Sequence, residues 1–159
     1  MVRQTGPAHP AFPPAVPAPA PARYHDRGDP WPLYAALDEA TLWREWRAAN
    51  PVATPAERRR LWTLEVAALR VLDLRDGKVV RALGVDLADL VGPRQAARPL
   101  ADRARALGAE GMVVPSAAHP GGWNLVVFPE GFRKLRVRTR AVIRPPAGTD
   151  SASGDHGTA

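Results

Sequence analysis

The sequence predicts a mixed α/β fold in a single small domain, and three observations support this. The length of 159 residues is typical of one domain. Several segments combine helix-capping residues with apolar residues at helical spacing. Other segments, both before and after the predicted helix Arg94–Leu107, are short apolar or alternating runs typical of β-strands. Helices and strands are therefore expected to share one core.

Both ends of the chain are predicted to lie outside this domain. Seven of the 18 prolines fall between Pro7 and Pro21, interleaved with alanine. Proline fixes φ and lacks a backbone donor, so residues 1–21 are predicted to be a disordered or polyproline II tail. Residues 145–159 begin with a proline pair and continue with small and polar residues, which predicts a second disordered tail. The domain is then expected to span 22–144.

Helices are predicted where a capping residue precedes an apolar stripe. The clearest early example begins after Asp38, carries Leu42 and Trp46 on one face, and ends at Asn50 before a proline. A capping-box spacing with proline at the first helical position indicates another start at Thr54. The predicted helices are Ala40–Ala49, a short one from Thr54, Asp76–Leu83, Asp86–Leu90 and Arg94–Leu107.

Strands are predicted in apolar and β-branched runs bounded by glycine or proline. Within Leu61–Leu74 the pattern favours a strand that runs into Val71–Leu74, although periodicity alone also allows more helix there. The other predicted strands are Gly111–Val114, Asn124–Phe128 and Leu135–Ile143.

The composition excludes several classes of protein. The chain has no cysteine, which excludes a disulfide framework and a zinc–thiolate site and fits an intracellular location. No apolar run approaches the roughly 20 residues that cross a bilayer, and the N-terminus lacks the apolar segment of a secretory signal. The four histidines show no metal-ligand spacing, so no metal is expected. We therefore expect a cytoplasmic protein.

The basic charge is compatible with nucleic acid but does not require it. The formal net charge is +6, and all basic residues except Lys78 and Lys134 are arginines. A basic surface attracts phosphate groups. The arginines are dense only in 58–60 and 133–138, however, which favours a solvated basic surface over a binding stripe.

Glu45 is the most unusual charged residue of the predicted helices. It lies beside the stripe of Leu42 and Trp46, and none of the residues three or four positions away on the helix is basic. A solvated helical glutamate commonly has such a partner. Arg23, Tyr34 and Glu45 also follow one another at equal spacings of eleven residues. This pattern makes Glu45 a candidate functional glutamate, with a solvated helix face as the alternative interpretation.

Two polar residues stand at the ends of predicted strands. Ser116 follows Met112–Val114 after one proline, and Asn124 opens the next strand. Each of the polar candidates also has a simpler interpretation. Arg23 could be a surface arginine, the tyrosines could pack in the core, and Ser116 and Asn124 could be turn residues. Neither a Gly-x-Ser-x-Gly elbow nor a glycine-rich phosphate loop is present.

In order, these motifs resemble the RES domain family, over about residues 23–131. The family takes its name from arginine, glutamate and serine, and it supplies the toxin of bacterial RES–Xre toxin–antitoxin pairs. The resemblance implies a fold like that of diphtheria-toxin-type ADP-ribosyltransferases, with a central, partly split sheet and flanking helices. The motifs that carry it are Arg23-Tyr24, Leu33-Tyr34 with Glu45 eleven residues later, Val71–Leu74, Val114–Ala117 and Asn124–Phe128.

The resemblance also implies an activity and a site. Members of the family consume NAD, and their named residues match Arg23, Glu45 and Ser116, with Tyr34 and Asn124 as pocket positions. Arg23 is expected to hold the NAD phosphates with Ser116 nearby, Tyr34 to pack on nicotinamide, and Asn124 to orient the pocket. Glu45 is expected to bind the adjoining ribose and to stabilise the charge that develops as the glycosidic bond breaks.

Several alternatives stay open at this point. Leu42-Trp43 is bulkier than the pair expected before the glutamate, so the acceptor could be phosphate, water or a protein side chain. A neutralising Xre-type antitoxin is an expected partner, and direct binding of nucleic acid or a membrane is not expected. The main rival is a non-catalytic basic module that binds nucleic acid or a partner protein through residues 133–140. A RES fold that only binds an antitoxin is a third hypothesis.

Overall fold

Seven strands and four helices make up the part of the chain that the computed structural model describes, residues 1–52, 57–92 and 97–146. A 3₁₀ helix, Pro129–Lys134, precedes the last strand. The strands are β1 (Val2–Thr5), β2 (Leu33–Ala36), β3 (Arg59–Val66), β4 (Val71–Asp73), β5 (Gly111–Pro115), β6 (Trp123–Val127) and β7 (Leu135–Ile143). The helices are α1 (Glu39–Ala49), α2 (Gly77–Leu83), α3 (Leu87–Val91) and α4 (Arg98–Ala106).

All seven strands belong to one mixed sheet, in the order β4-β5-β6-β2-β1-β3-β7. Only β4 and β5 are parallel, and the other neighbours are antiparallel. The sheet is weakest at its centre, where β1 and β2 share the single register pair Val2↔Ala36. This confirms the mixed α/β class and the partly split sheet.

The two faces of the sheet bury different apolar sets. Met112, Val114 and Val126 point toward α3 and α4, whereas the alternate residues Val113 and Leu125 belong to a second cluster on the opposite face. This alternation is the period of two that a strand buried on both faces produces. A third cluster joins α1 to Val2 of β1 and Ala36 of β2. Helix α1 therefore packs across the point where the sheet divides.

The N-terminal segment is part of the fold, so the prediction of a disordered tail over residues 1–21 is wrong. Strand β1 pairs with β3 along its whole length, from Val2↔Thr63 to Thr5↔Arg60. The proline-rich stretch that follows packs through alanines, since Ala11 and Ala18 are 4% and 2% exposed. Small side chains let this stretch lie close to the core despite its missing donors. The predicted boundary at residue 22 therefore starts the domain too late. At the other end, residues 147–159 lie outside the described residues.

The predicted helices are confirmed where the structure describes them. Asp38, Asp76 and Asp86 cap α1, α2 and α3 by accepting a hydrogen bond from a first-turn amide. Helix α4 corresponds to the predicted Arg94–Leu107, of which residues 94–96 lie outside the described residues. The helix start predicted at Thr54 also lies outside the described residues. None of the described helices is both long and apolar enough to cross a membrane.

The strand predictions are confirmed for β5, β6 and β7, within one residue at each end. The stretch 61–74 holds two strands, β3 and β4, because the chain turns at Ala68, which has a positive φ of 39°. Strands β1 and β2 were not predicted. Each has four residues, too few to show a reliable alternation.

Candidate active site

A cleft of about 470 Å³ opens where the sheet divides, between the strands at its centre and helix α1. Its volume lies within the range of about 300–1,000 Å³ that is usual for small-molecule sites. Of the residues predicted for the site, Arg23, Tyr34, Glu45 and Asn124 line this cleft. Ser116 lies beside it, buried between the lining residues Pro115 and Ala117.

Glu45 is held by three donors that all bind one oxygen of its carboxylate. Oε1 accepts hydrogen bonds from Ser116 Oγ at 2.6 Å, from Asn124 Nδ2 at 2.9 Å and from the amide of Ala117 at 3.1 Å. No residue in the described ranges donates to Oε2. The donors come from β6 and from the loop that joins β5 to β6, so the sheet and its loop fix a carboxylate that the helix carries. One oxygen is immobilised and the other is left for a ligand.

The hydroxyl of Ser116 is fully used in this arrangement. It donates its single proton to Glu45 and accepts from the amides of Ala118 at 3.2 Å and His119 at 3.0 Å. A serine hydroxyl has one proton and two lone pairs. Ser116 thus supports Glu45 and has no proton left for a phosphate oxygen.

Arg23 is anchored to the end of helix α3. Its Nη1 donates to the carbonyl oxygens of Leu90 at 2.7 Å and Gly92 at 2.8 Å, which are orphan acceptors at a helix C-terminus. The guanidinium has five N–H donors in total. One edge of the fork is therefore fixed to the protein, and the remaining donors are at the wall of the cleft.

Tyr34 is fixed at both ends. Its hydroxyl lies 3.0 Å from Nδ1 of His25, and its backbone carbonyl accepts from Arg3 Nη1 at 2.8 Å. The ring of Tyr24 stacks beside it with a centroid separation of 6.4 Å. Burial lowers the pKa of His25, which favours a neutral imidazole next to the tyrosine. The two tyrosine rings form a rigid aromatic wall.

Arg3 is a residue of the cleft that the sequence analysis missed. It lies on β1 and lines the cleft, its Nε is buried without a hydrogen-bond partner, and no carboxylate in the described ranges pairs with it. Burial lowers its pKa to about 10, so it is still charged near neutral pH. A cation that has a buried, unsatisfied donor and no carboxylate partner is costly for folding and typical of a functional site.

Buried polar atoms without partners concentrate around the cleft. Five such side-chain atoms occur among the described residues, and those of Arg3, Tyr24 and Trp46 belong to residues that line it. Tyr24 is only 3% exposed, and burial raises the pKa of its hydroxyl far above the usual value. Unsatisfied buried polar groups are rare in folded proteins, so these atoms mark the cleft as a place where polar groups can bind a ligand or water. Within the same described residues, no cluster of three or more histidine, aspartate and glutamate side chains could hold a metal ion.

The mixed sheet divides beside a polar cleft, and some buried polar atoms of the residues that line this cleft have no hydrogen-bond partner. These features define a small α/β protein with a site typical of enzymes. A model of the RES domain matches residues 1–146. The chain therefore belongs to the RES domain family, as the order of its motifs predicted. The match includes β1, which agrees with the position of that strand inside the sheet.

Two proteins of Mycobacterium tuberculosis illustrate the relationship. The protein named "Probable NAD(+) phosphorylase Rv3189" is 33% identical over 140 residues, which cover 87% of this chain and 68% of that protein. A chain in the crystal structure of the MbcT–MbcA toxin–antitoxin complex is 24% identical, with a TM-score of 0.73 over 91% of this chain and 83% of that chain. At this identity the second comparison shows the fold alone.

Proposed function

We propose that this chain is an NAD-consuming enzyme that cleaves the bond between nicotinamide and ribose. The observation that carries the proposal is the triple hydrogen bond to Oε1 of Glu45. It holds the carboxylate rigidly at the edge of a cleft of suitable size. Membership of the RES family and the activity in the name of the M. tuberculosis relative support the same chemistry.

In this proposal Glu45 acts through its free oxygen. Oε2 accepts a hydrogen bond from a hydroxyl of the ribose next to nicotinamide. As the C1′–N bond breaks, its electron pair goes to the nicotinamide nitrogen and positive charge develops on the sugar. A carboxylate that is already in place stabilises this charge without reorganisation in the transition state. Ser116 and Asn124 act by positioning that carboxylate.

The two arginines of the cleft are suited to the phosphate groups of NAD. Arg3 contributes a guanidinium that has a buried Nε and no carboxylate partner, and Arg23 contributes the donors that α3 does not use. A guanidinium fork matches two phosphate oxygens at once. The aromatic wall of Tyr24 and Tyr34 offers a flat surface for the nicotinamide ring.

The acceptor proposed here is inorganic phosphate. The relative's name indicates phosphorolysis, in which a phosphate oxygen bonds to C1′, nicotinamide leaves as a neutral ring and the phosphate loses its proton. Water or a protein side chain would give hydrolysis or ADP-ribosyl transfer instead. An enzyme that destroys NAD in the cytoplasm poisons its own cell, so the proposal includes a cytoplasmic location and a neutralising antitoxin. A chain with the same fold is present in the crystal structure of the MbcT–MbcA toxin–antitoxin complex, which supports this part of the proposal.

The experiment is to incubate purified protein with NAD, with and without phosphate, and to follow nicotinamide by chromatography. We expect release that requires phosphate and yields a phosphorylated ADP-ribose. Release that is independent of phosphate would identify water as the acceptor. An inactive wild-type protein, or undiminished release by Glu45→Gln, would refute the proposal.

A further inference from the structure

The loop between β5 and β6, residues 116–122, is tied to helix α1 by a chain of polar side chains. Thr41 on α1 is completely buried. Its Oγ1 lies 3.0 Å from Oδ2 of Asp38 and 2.9 Å from Nδ1 of His119. The amide of Thr41 also donates to Asp38 at 2.8 Å. The chain thus runs from the helix cap, through the first turn of α1, to the loop.

The direction of each hydrogen bond in this chain follows from the number of protons. These bonds, the one from the Thr41 amide first, lower the pKa of Asp38, so its carboxylate is ionised at neutral pH and can only accept. The single hydroxyl proton of Thr41 therefore goes to Asp38. Toward His119 the threonine oxygen must accept, so Nδ1 of His119 carries a proton.

The loop is shaped to allow this contact. A Cβ atom at Gly122 would lie 2.5 Å from Thr41 Oγ1 and 2.7 Å from His119 Nδ1, so the position requires glycine. The Gly122 amide donates to the His119 carbonyl at 2.8 Å, and the Ser116 amide donates to the Gly122 carbonyl at 2.9 Å. The loop closes on itself where it meets α1.

The contact lies one helical turn from Glu45. Thr41 and Glu45 are four residues apart on α1, which corresponds to a rise of about 6 Å along the axis. The same short loop supplies both the contact to Thr41 and, through Ser116 and Ala117, two of the three donors to Glu45. Loop and helix are therefore joined at two points, one of which is the candidate catalytic carboxylate.

We propose that Asp38, Thr41 and His119 form a positioning lock that sets the loop donors in register with Glu45. The lock acts on the reaction only through Glu45, and in this sense it rests on the proposed function. None of its three residues lines the cleft. A misplacement of a reacting group by about 1 Å can cost as much as 100-fold in rate. Loss of the lock is expected to lower kcat for this reason while the KM for NAD stays nearly constant.

The test is a pair of substitutions at His119, each of which places an amide near a different ring nitrogen of the histidine. His119→Asn places an amide N–H near the position of Nδ1 and preserves the donor to Thr41, whereas His119→Gln places its amide near Nε2 and removes that donor. We expect His119→Gln to lower kcat by about 10- to 100-fold, and His119→Asn to stay within about threefold of wild type. Thr41→Val and Thr41→Ser form a second pair, with the loss confined to valine.

A readout independent of turnover separates this proposal from the proposed function. Hydrogen exchange of the amides at 117–119 is expected to quicken in His119→Gln and Thr41→Val and to stay slow in the two conservative variants. Equal kcat in His119→Gln and wild type, or equal losses in His119→Asn and His119→Gln, would overturn the lock. If wild-type protein releases no nicotinamide, the proposed function fails, and unchanged exchange in His119→Gln would still refute the lock.

Discussion

Two glutamates of this protein, Glu45 and Glu110, are both held by several donors, but the donors differ in charge. Glu110 is 3% exposed and accepts from the Arg70 amide and from Lys134 Nζ at 2.6 Å, with the guanidinium groups of Arg70 and Arg133 within 4 Å. Glu45 is half-buried and accepts only from neutral groups.

The difference in donors is the one expected between a structural carboxylate and the carboxylate that we propose acts on the substrate. The cations beside Glu110 neutralise it and, with the Arg70 amide, lower its pKa to about 2. Because these cations balance its charge, Glu110 has no net negative charge to offer a ligand. Hydroxyl, amide and backbone donors fix the position of Glu45 and leave its negative charge in place. A carboxylate that must stabilise a developing positive charge requires the second arrangement.

The largest expected effect is the loss of turnover in Glu45→Gln. The amide oxygen of glutamine can still accept the three hydrogen bonds, so the fold is expected to keep its Tm. The missing charge is expected to reduce the rate of nicotinamide release by about 10²- to 10³-fold. Glu130→Gln, a change at an exposed glutamate, is the matched control and should leave both quantities unchanged. A Tm loss in Glu45→Gln as large as in Glu110→Gln would remove the distinction between the two residues.

Substitution of Glu110 is expected to do the reverse. Glu110→Gln removes the negative charge that pairs with Lys134, so the free energy of unfolding should fall, while the rate per folded molecule stays at the wild-type value. The lowered pKa means that Glu110 stabilises the fold fully above the usual value of 4.5 and that this contribution is lost as pH falls toward about 2. Urea unfolding at pH 6 and pH 3 should show the difference between variant and wild type shrinking at the lower pH.

Arg3→Met is expected to weaken ligand binding without a loss of stability. The native guanidinium donates from Nη1 to the Tyr34 carbonyl but leaves its buried Nε without a partner, so an apolar side chain of similar length removes one hydrogen bond and one unsatisfied donor together and should leave the Tm close to the wild-type value. Loss of a charged hydrogen bond to phosphate should weaken binding of ADP-ribose by about 10- to 100-fold, measured by calorimetry. Arg136→Gln, on the exposed part of β7, is the control. Unchanged affinity in Arg3→Met would exclude the guanidinium from the site.

The sequence predicted the helix that carries Glu45 but not the strand that carries Arg3, and the reason lies in local pattern. Glu45 is on an 11-residue helix whose cap, stripe and stop signals fix its face. Arg3 is on a four-residue strand that is held by β3, where Trp62 is its register partner, and a proline-rich stretch follows it. A strand this short depends on partners that no local pattern reveals.

The roles within the site depended on contacts that sequence spacing does not contain. Ser116 was placed at the site by its motif, but its function as a donor to Glu45 spans 71 residues. The anchoring of Arg23 on the end of α3 spans nearly as many. The order of the motifs predicted which residues lie close together. Only the structure shows which atoms of each residue already form hydrogen bonds within the protein.

His25, beside the same site, makes a smaller and pH-dependent contribution to the stability of the fold. Burial lowers its pKa from the ordinary value of 6.5, so the unfolded chain binds the proton more readily than the folded one. Stability is therefore complete above pH 6.5 and declines as the pH falls below it. His25→Asn, which retains a polar group near Tyr34, should flatten the change in Tm between pH 7.5 and pH 5.5. A slope equal to that of wild type would mean that His25 does not contribute to it.

The smallest expected effect concerns the arginines of β7, where residues 136–142 are all exposed. This surface would carry affinity if the protein were a basic binding module. Arg136→Glu should leave nicotinamide release within about twofold of wild type, because an exposed charge remote from the cleft is screened by salt. The same variant is titrated with duplex DNA at two salt concentrations. If the wild type binds DNA with an affinity that falls steeply with salt, and Arg136→Glu abolishes this binding, β7 has a phosphate-binding role. Such DNA binding should be unchanged in Glu45→Gln.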